Sequence, residues 1–243
     1  VGERGLDLWI SRISGCLREV QQAIASAAQR AGRDPAEVTV VAVTKSFPAE
    51  VVRAAVAAGL SHIGENRVQE ARDKRSQLGD LQGVTWHLVG HLQKNKAGTA
   101  LLLFDIIHSV DSLELAQILA RRADAAGRVV PVLLEVNVGG EATKFGFRLD
   151  DLSSLYRAVE AILSLPQLRL EGLMTVAPIC RDPEEVRPVF RQLRQLRDGL
   201  RERYPEAPWR HLSMGMTDDY PVAVEEGATL VRLGRALFGE RPS

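Results

Sequence analysis

Thr39-Val40-Val41-Ala42-Val43-Thr44-Lys45-Ser46-Phe47-Pro48 is the stretch on which the fold turns. Its first half is a short, near-continuous apolar run rich in β-branched residues, the pattern of a parallel strand buried on both faces. Its second half lacks the GxGxxG turn that opens a doubly wound dinucleotide-binding sheet. Working outward, the same kind of run returns at 61–65, 84–89, 105–109, 129–137, 168–176, 209–213 and 229–233. Helical stretches separate them, near 48–58, 66–78, 93–102, 112–126, 150–163, 183–203 and 218–226. Eight strands alternating with seven helices predict an α/β fold, a single-domain (β/α)8 TIM barrel; an open sheet more often stops at five to seven strands.

One more helix precedes the first strand. Leu6, Ile10, Ile13, Leu17, Val20, Ile24 and Ala27 form one apolar seam over residues 6–28, closed by Gly32 and Pro35. A seam this short is expected to dock on the body of its own domain, and a dimerisation helix is the alternative. Nothing resembling a linker, repeat or low-complexity segment interrupts residues 36–239, so the expected domain is 1–243, with 1–31 as a helix packed on the barrel.

The 243 residues carry 31 Lys plus Arg against 31 Asp plus Glu, a balance that argues against nucleic acid or an anionic membrane as the main partner. No apolar run approaches the roughly 18 residues of a membrane span, and the first residues lack a charged-then-apolar secretory pattern. Cys16 and Cys180 lie far apart without CxxC spacing, as expected of free thiols in a reducing cytoplasm.

In a barrel of this type, function gathers at the carboxyl ends of the strands. Lys45 follows the first apolar run directly, where a desolvated, unprotonated amine can attack a carbonyl to form a Schiff base. A strand ending one residue early, with Lys45 in solvent, is the structural alternative. After the seventh and eighth strands come Ser213-Met214-Gly215 and Leu233-Gly234-Arg235, where such barrels often bind phosphate with a hydroxyl and close-approaching backbone N–H groups. A Schiff-base lysine facing a phosphate cradle suits a phosphorylated aldehyde, with pyridoxal 5′-phosphate (PLP) the commonest such cofactor and a class I aldolase substrate the rival. Arg232, ending the last strand, is placed to sit beside a pyridine nitrogen and keep it unprotonated, which makes the ring a weaker electron sink.

The residues then resemble a known family. Val43-Thr44-Lys45, Ile63-Gly64-Glu65-Asn66 and Trp86-His87-Leu88-Val89-Gly90-His91-Leu92-Gln93-Lys94-Asn95-Lys96 are similar to the PLP homeostasis proteins (YggS/PROSC-like). So are Asn137 with Glu141, Lys144 and Gly146, the Gly172-Leu173-Met174 segment, Leu212 through Asp219, Val231 through Gly234, and Phe238-Gly239. The resemblance covers essentially the whole chain, with Thr217 where the family usually has Ser.

It implies a barrel like the N-terminal domain of alanine racemase, and PLP held as a Schiff base on Lys45. It implies phosphate contacts from Ser213 and the Gly234-Arg235 backbone, Arg232 at the ring nitrogen, and Asn66 near the ring. Gly215 joins the cradle in the reading above. The resemblance also implies a monomer or weak dimer that holds PLP for other proteins, apo PLP-dependent enzymes among them, without robust turnover. Of Tyr156, Tyr204 and Tyr220, only Tyr220 is expected near the mouth, so the opposing acid–base group of a racemase is missing. A PLP enzyme acting on small amino acids is the competing function.

Other features weigh less. His87 and His91 are spaced for metal binding only on a helix, and they fall on a strand entering a loop. His108 and His211 read as core or pocket-lining residues. Arg191, Arg194, Arg197, Arg201 and Arg203 read as the solvated side of an amphipathic helix.

Overall fold

Val41 and Val43 turn one way and Ala42 the other, and that alternation builds the molecule. The computed structural model describes residues 3–79, 81–141 and 143–240; residues 1–2 and 241–243 of the expected domain lie outside the described residues. The strands are β1 (Thr39–Val43), β2 (His62–Glu65), β3 (Thr85–Leu88), β4 (Ile106–Val110), β5 (Val130–Asn137), β6 (Leu168–Met174), β7 (His211–Ser213) and β8 (Leu230–Leu233). Each pairs in parallel with its neighbours, and β8 returns to β1 in the register Thr39↔Leu230 through Ala42↔Leu233, so the sheet closes on itself. Closure leaves no strand edge unpaired. All eight expected strands are present. A two-residue strand, Phe147–Arg148, pairs on β5 beside the ring and was not expected.

The helices are α1 (Glu3–Arg30), α2 (Ala49–Ala57), α3 (Val68–Leu78), α4 (Ala97–Leu103), α5 (Leu113–Ala125), α6 (Leu152–Leu163), α7 (Arg187–Arg203), α8 (Tyr220–Glu225) and α9 (Arg235–Phe238). The expected helix over 93–102 starts instead as a 3-10 turn at Lys94–Lys96, and its regular part runs on to Leu103. Helix α1 docks in cis: Ile13, Leu17, Val20, Ile24 and Ala27 are buried, against α2, α8 and α9. On α7, Phe190, Leu193 and Leu200 face the core. Its arginines are not simply solvated, since Arg187, Arg191 and Arg194 all pair with the buried Glu226 that ends α8.

The core has two parts. The larger lies between the barrel and its helices, and the smaller, made of Val41, Val43, Val89, Leu133, Met174 and Leu230, fills the barrel interior. Beside this apolar plug the interior carries polar groups that are fully or nearly buried: His87, His108, Ser213 and Arg232. Among the described residues, no helix is long and apolar enough to cross a membrane.

Candidate functional site

Strand β1 ends at Val43, and Lys45 is half-buried in the turn that follows it. That turn closes with Phe47 N–H donating to Thr44 O (3.0 Å) and holds Ser46 in the left-handed region at φ 67°. A serine there costs conformational energy unless its surroundings hold it. They do. Lys74, itself buried on α3, donates to Thr44 O (2.6 Å), Glu65 Oε1 (2.5 Å) and Glu70 Oε1 (2.8 Å), so all three ammonium protons have acceptors. Ser46 N–H donates to the same Glu70 oxygen (2.5 Å), and Thr44 Oγ1 donates to Glu65 Oε1 (2.5 Å). The peptide groups on both sides of Lys45 are thus pinned from α3. Burial raises the pKa of Glu65, and Lys74 opposes the shift. Sequence reading missed this clamp, because nothing in the pattern of 66–78 sets Lys74 apart from the solvated charges around it.

Asn66 is half-buried just after β2, the strand that pairs with β1 in the register Val43↔Gly64. Its backbone packs so closely on Gly90 that a Cβ at Gly90 would lie 2.4 Å from Asn66 O, which is why that position must be glycine.

The last two strands bring the other residues. Arg232 is buried, with NH1 donating to Ser213 O and Oγ (both 2.7 Å) and NH2 to Thr175 O (2.8 Å). Burial pulls its pKa down to about 10, against the opposing charges of Asp219 and Glu135. Ser213 is the residue expected to donate to a phosphate, and here it is held by other groups. Its side chain is fully buried, and its Oγ accepts from Arg232 and lies 2.9 Å from His108 Nδ1. On the three-residue β7 its parity points into the barrel, not up into the loop.

Gly215 sits at φ 95°, and a Cβ there would meet Ala223 of α8 at 2.7 Å. Gly234 follows β8 beside the end of β1; a Cβ would stand 3.4 Å from Val43 O. The two loops are tied together, with Ala236 N–H donating to Thr217 Oγ1 (3.2 Å) and Arg235 pairing with Asp218. The Arg235 side chain is thus engaged by a carboxylate, and only its backbone remains as a candidate contact. Tyr220 packs against Gly215, burial and the charge of Glu19 raise the pKa of its phenol, and Tyr204 bonds Glu160 on the barrel exterior.

On the β4–β5 side, Asn137 Nδ2 donates to Glu141 O (2.8 Å) and Lys144 O (3.3 Å), fastening the loop after β5. Lys144 bonds Val176 O (3.3 Å) and pairs with Glu141 (2.5 Å). Glu135, within the apolar β5, has its pKa pushed up to about 7 by burial and by nearby Asp111, and its Oε2 has no hydrogen-bond partner. His91 pairs with Asp111 (3.1 Å) and stacks on Phe145 (3.6 Å), well apart in role from His87. Among the described residues no group of side chains is arranged to hold a metal ion.

This barrel, with a lysine after its first strand and a buried arginine on its last, is of the class defined by the alanine racemase N-terminal domain, whose family model matches residues 16–242. An alanine racemase from Clostridium difficile shares the fold at TM-score 0.72 and 18% identity, covering 96% of this chain and 58% of that one. Within that class the chain belongs to the pyridoxal phosphate homeostasis protein family. A member from Aquifex aeolicus is 45% identical over 225 residues, 93% of this chain and 96% of the relative. PipY of Synechococcus elongatus, solved with PLP bound, is 41% identical with a TM-score of 0.78, covering 89% of this chain and 100% of that one.

Because the Ser213 hydroxyl touches Arg232 and not a loop, Ser213→Ala is expected to weaken PLP and phosphate-free pyridoxal alike. One hydrogen bond corresponds to roughly three- to tenfold. Equilibrium titration with both ligands checks this, and a loss confined to PLP would return the serine to a phosphate role.

Proposed function

We propose that this chain binds PLP at the barrel mouth and serves intracellular PLP (vitamin B6) homeostasis, holding the cofactor and making it available to other proteins. The observation that carries the reading is the closure of β8 onto β1, which sets Gly234 against Val43 O, two residues before Lys45, on the strand that carries the buried Arg232. The donor set fits the cofactor: an amine, a buried cation and glycine backbone at a loop turn. PLP brings an aldehyde, which a lysine amine captures covalently and reversibly.

Lys45 is the proposed capturing residue. Gly215, Gly234 and the Arg235 backbone are the proposed phosphate contacts, Arg232 the partner of the ring nitrogen, Ser213 the residue that holds Arg232, and Asn66 a wall of the pocket. Residues 1–243 form the proposed binding domain, with 1–31 as its packed N-terminal helix. The release step belongs to a recipient's amine, those of apo PLP-dependent enzymes included, and a cytoplasmic monomer or weak dimer accords with the free Cys16 and Cys180. Proton transfer at an amino-acid Cα needs positioned acid–base groups on both faces, and the similarity to homeostasis proteins supports holding over racemisation.

Borohydride reduction of PLP-loaded protein followed by peptide mass spectrometry tests the reading. The pyridoxyl group is expected on Lys45, and Lys45→Ala is expected to lose the adduct. A label spread over surface lysines, or retained in Lys45→Ala, would overturn it.

A further inference from the structure

The barrel interior holds a chain of hydrogen bonds that nothing above employs. His62 Nδ1 lies 2.9 Å from His87 Nε2, His87 Nδ1 lies 2.9 Å from His108 Nε2, and His108 Nδ1 lies 2.9 Å from Ser213 Oγ, which Arg232 also holds. His87 and His108 are fully buried, while half-buried His62 lines a cavity of about 370 Å³ under the barrel, formed with Leu17, Gln21, Ile24 and Pro35. The chain therefore runs from a floor cavity through the centre of the barrel to the residue that holds Arg232.

A neutral imidazole has one donor and one acceptor nitrogen. His87 and His108 each use both nitrogens within the chain, so the tautomer of either fixes that of the other. Only two fully bonded arrangements exist. In the first, Ser213 donates to His108 Nδ1 and every ring carries its proton on Nε2. In the second, every ring carries it on Nδ1 and His108 donates to Ser213 Oγ, so that the serine proton loses its histidine acceptor.

Resting on the PLP reading, we infer that His62, His87 and His108 are positioning residues, a two-state relay whose polarity is set by protonation of His62 and read at Ser213 and Arg232 beside the cofactor's ring. The change conserves protons. Ser213 passes its hydroxyl proton to His108 Nδ1, His108 its Nε2 proton to His87 Nδ1, and His87 its Nε2 proton to His62 Nδ1. Ser213 regains a proton from the Arg232 guanidinium bonded to it, and Arg232 takes one from a hydronium ion that leaves as water, so one proton is taken up and the added charge rests on His62.

The inner rings do not carry that charge. Burial and neighbouring histidines hold His87 down at about 3, and burial, His87 and Arg232 hold His108 well below the ordinary value. The pKa of His62 is also lowered by burial, so the switch belongs below its ordinary value of 6.5. The other titratable or charged groups facing the chain are Arg232 on β8 and His211 on β7; His211 in turn faces Glu171 of β6 and Arg210. Thr229 bonds His211 Nδ1 at 3.4 Å.

Long-range ¹H–¹⁵N correlation spectra of histidine-labelled protein, taken from pH 8 to pH 5 without and with PLP, test this. The expected result is one shared tautomer for the three rings at high pH, changing together as His62 titrates, with a matching shift in the visible absorption of the loaded protein. His62→Gln, which keeps a polar contact to His87 but cannot titrate, is expected to abolish both changes without loss of thermal stability. Mixed tautomers, or His62 titrating while His108 stays unchanged, would overturn the relay. An intact switch in the unloaded protein with no spectral shift on loading would overturn its coupling to the ring. Failure to take up PLP at all, with the tautomer switch still present, would count against the proposed function and not against the relay.

Discussion

Lys74→Met is expected to cost about 3–5 kcal/mol, the range for breaking a buried ion pair by removing one partner. The substitution leaves the Glu65 carboxylate, which has no exposed surface, with only the Thr44 hydroxyl, and strips Thr44 O of its side-chain donor. Most of that cost is the stranded charge and not the pair's own worth. A double variant, Lys74→Met with Glu65→Leu, is therefore expected to recover much of the loss, because well-packed apolar replacements of buried pairs are often neutral. Urea denaturation of the wild type and both variants measures this. A single variant within about 0.5 kcal/mol of wild type, the range of ordinary surface changes, would show that the ion pair is not buried in solution. The double variant carries a further expectation. Stability returns, but Thr44 O is no longer pinned and Glu70, which still accepts from Ser46 N–H, has lost its lysine, so covalent capture of PLP is expected to slow even where the fold is restored.

Arg232→Glu has the second large effect, on colour as well as stability. Thr175 O loses its charged donor and Ser213 Oγ keeps only His108, at about 1–3 kcal/mol for each buried group left short of a partner. Asp219 and Glu135, whose charges now act on the guanidinium, would face a third carboxyl group. A carboxylate beside the ring nitrogen favours its protonation, so the absorption of the loaded protein is expected to shift. Arg232→Gln, neutral and milder, is expected to lose affinity with a smaller shift. Unchanged spectra and affinity in both variants would place the ring nitrogen elsewhere.

The barrel was legible in the sequence because parallel strands buried on both faces leave continuous apolar runs, and eight of them stand out between amphipathic helices. Lys45 and Arg232 were legible for the same reason, as charged residues abutting or interrupting such runs. What could not be read is which interior residues meet. His62, His87 and His108 come from three strands, and their spacing depends on register, which no local pattern encodes. Lys74 was hidden because a lysine on an amphipathic helix ordinarily faces water, and only the fold shows Glu65 and Thr44 beneath it. The side on which Ser213 falls was equally unreadable, since a three-residue strand has too little alternation to fix its parity.

Phe47, two residues beyond Lys45, touches Trp9 of α1 at 6.0 Å edge-on and Phe238 of α9 at 5.3 Å. Trp9 on α1 and Phe238 on α9 thus grip the same ring, two residues from Lys45. Trp9→Ala or Phe238→Ala would be felt first at that ring, and a weakened hold on the cofactor in either variant would report a lost aromatic grip before it reported any damage to the barrel.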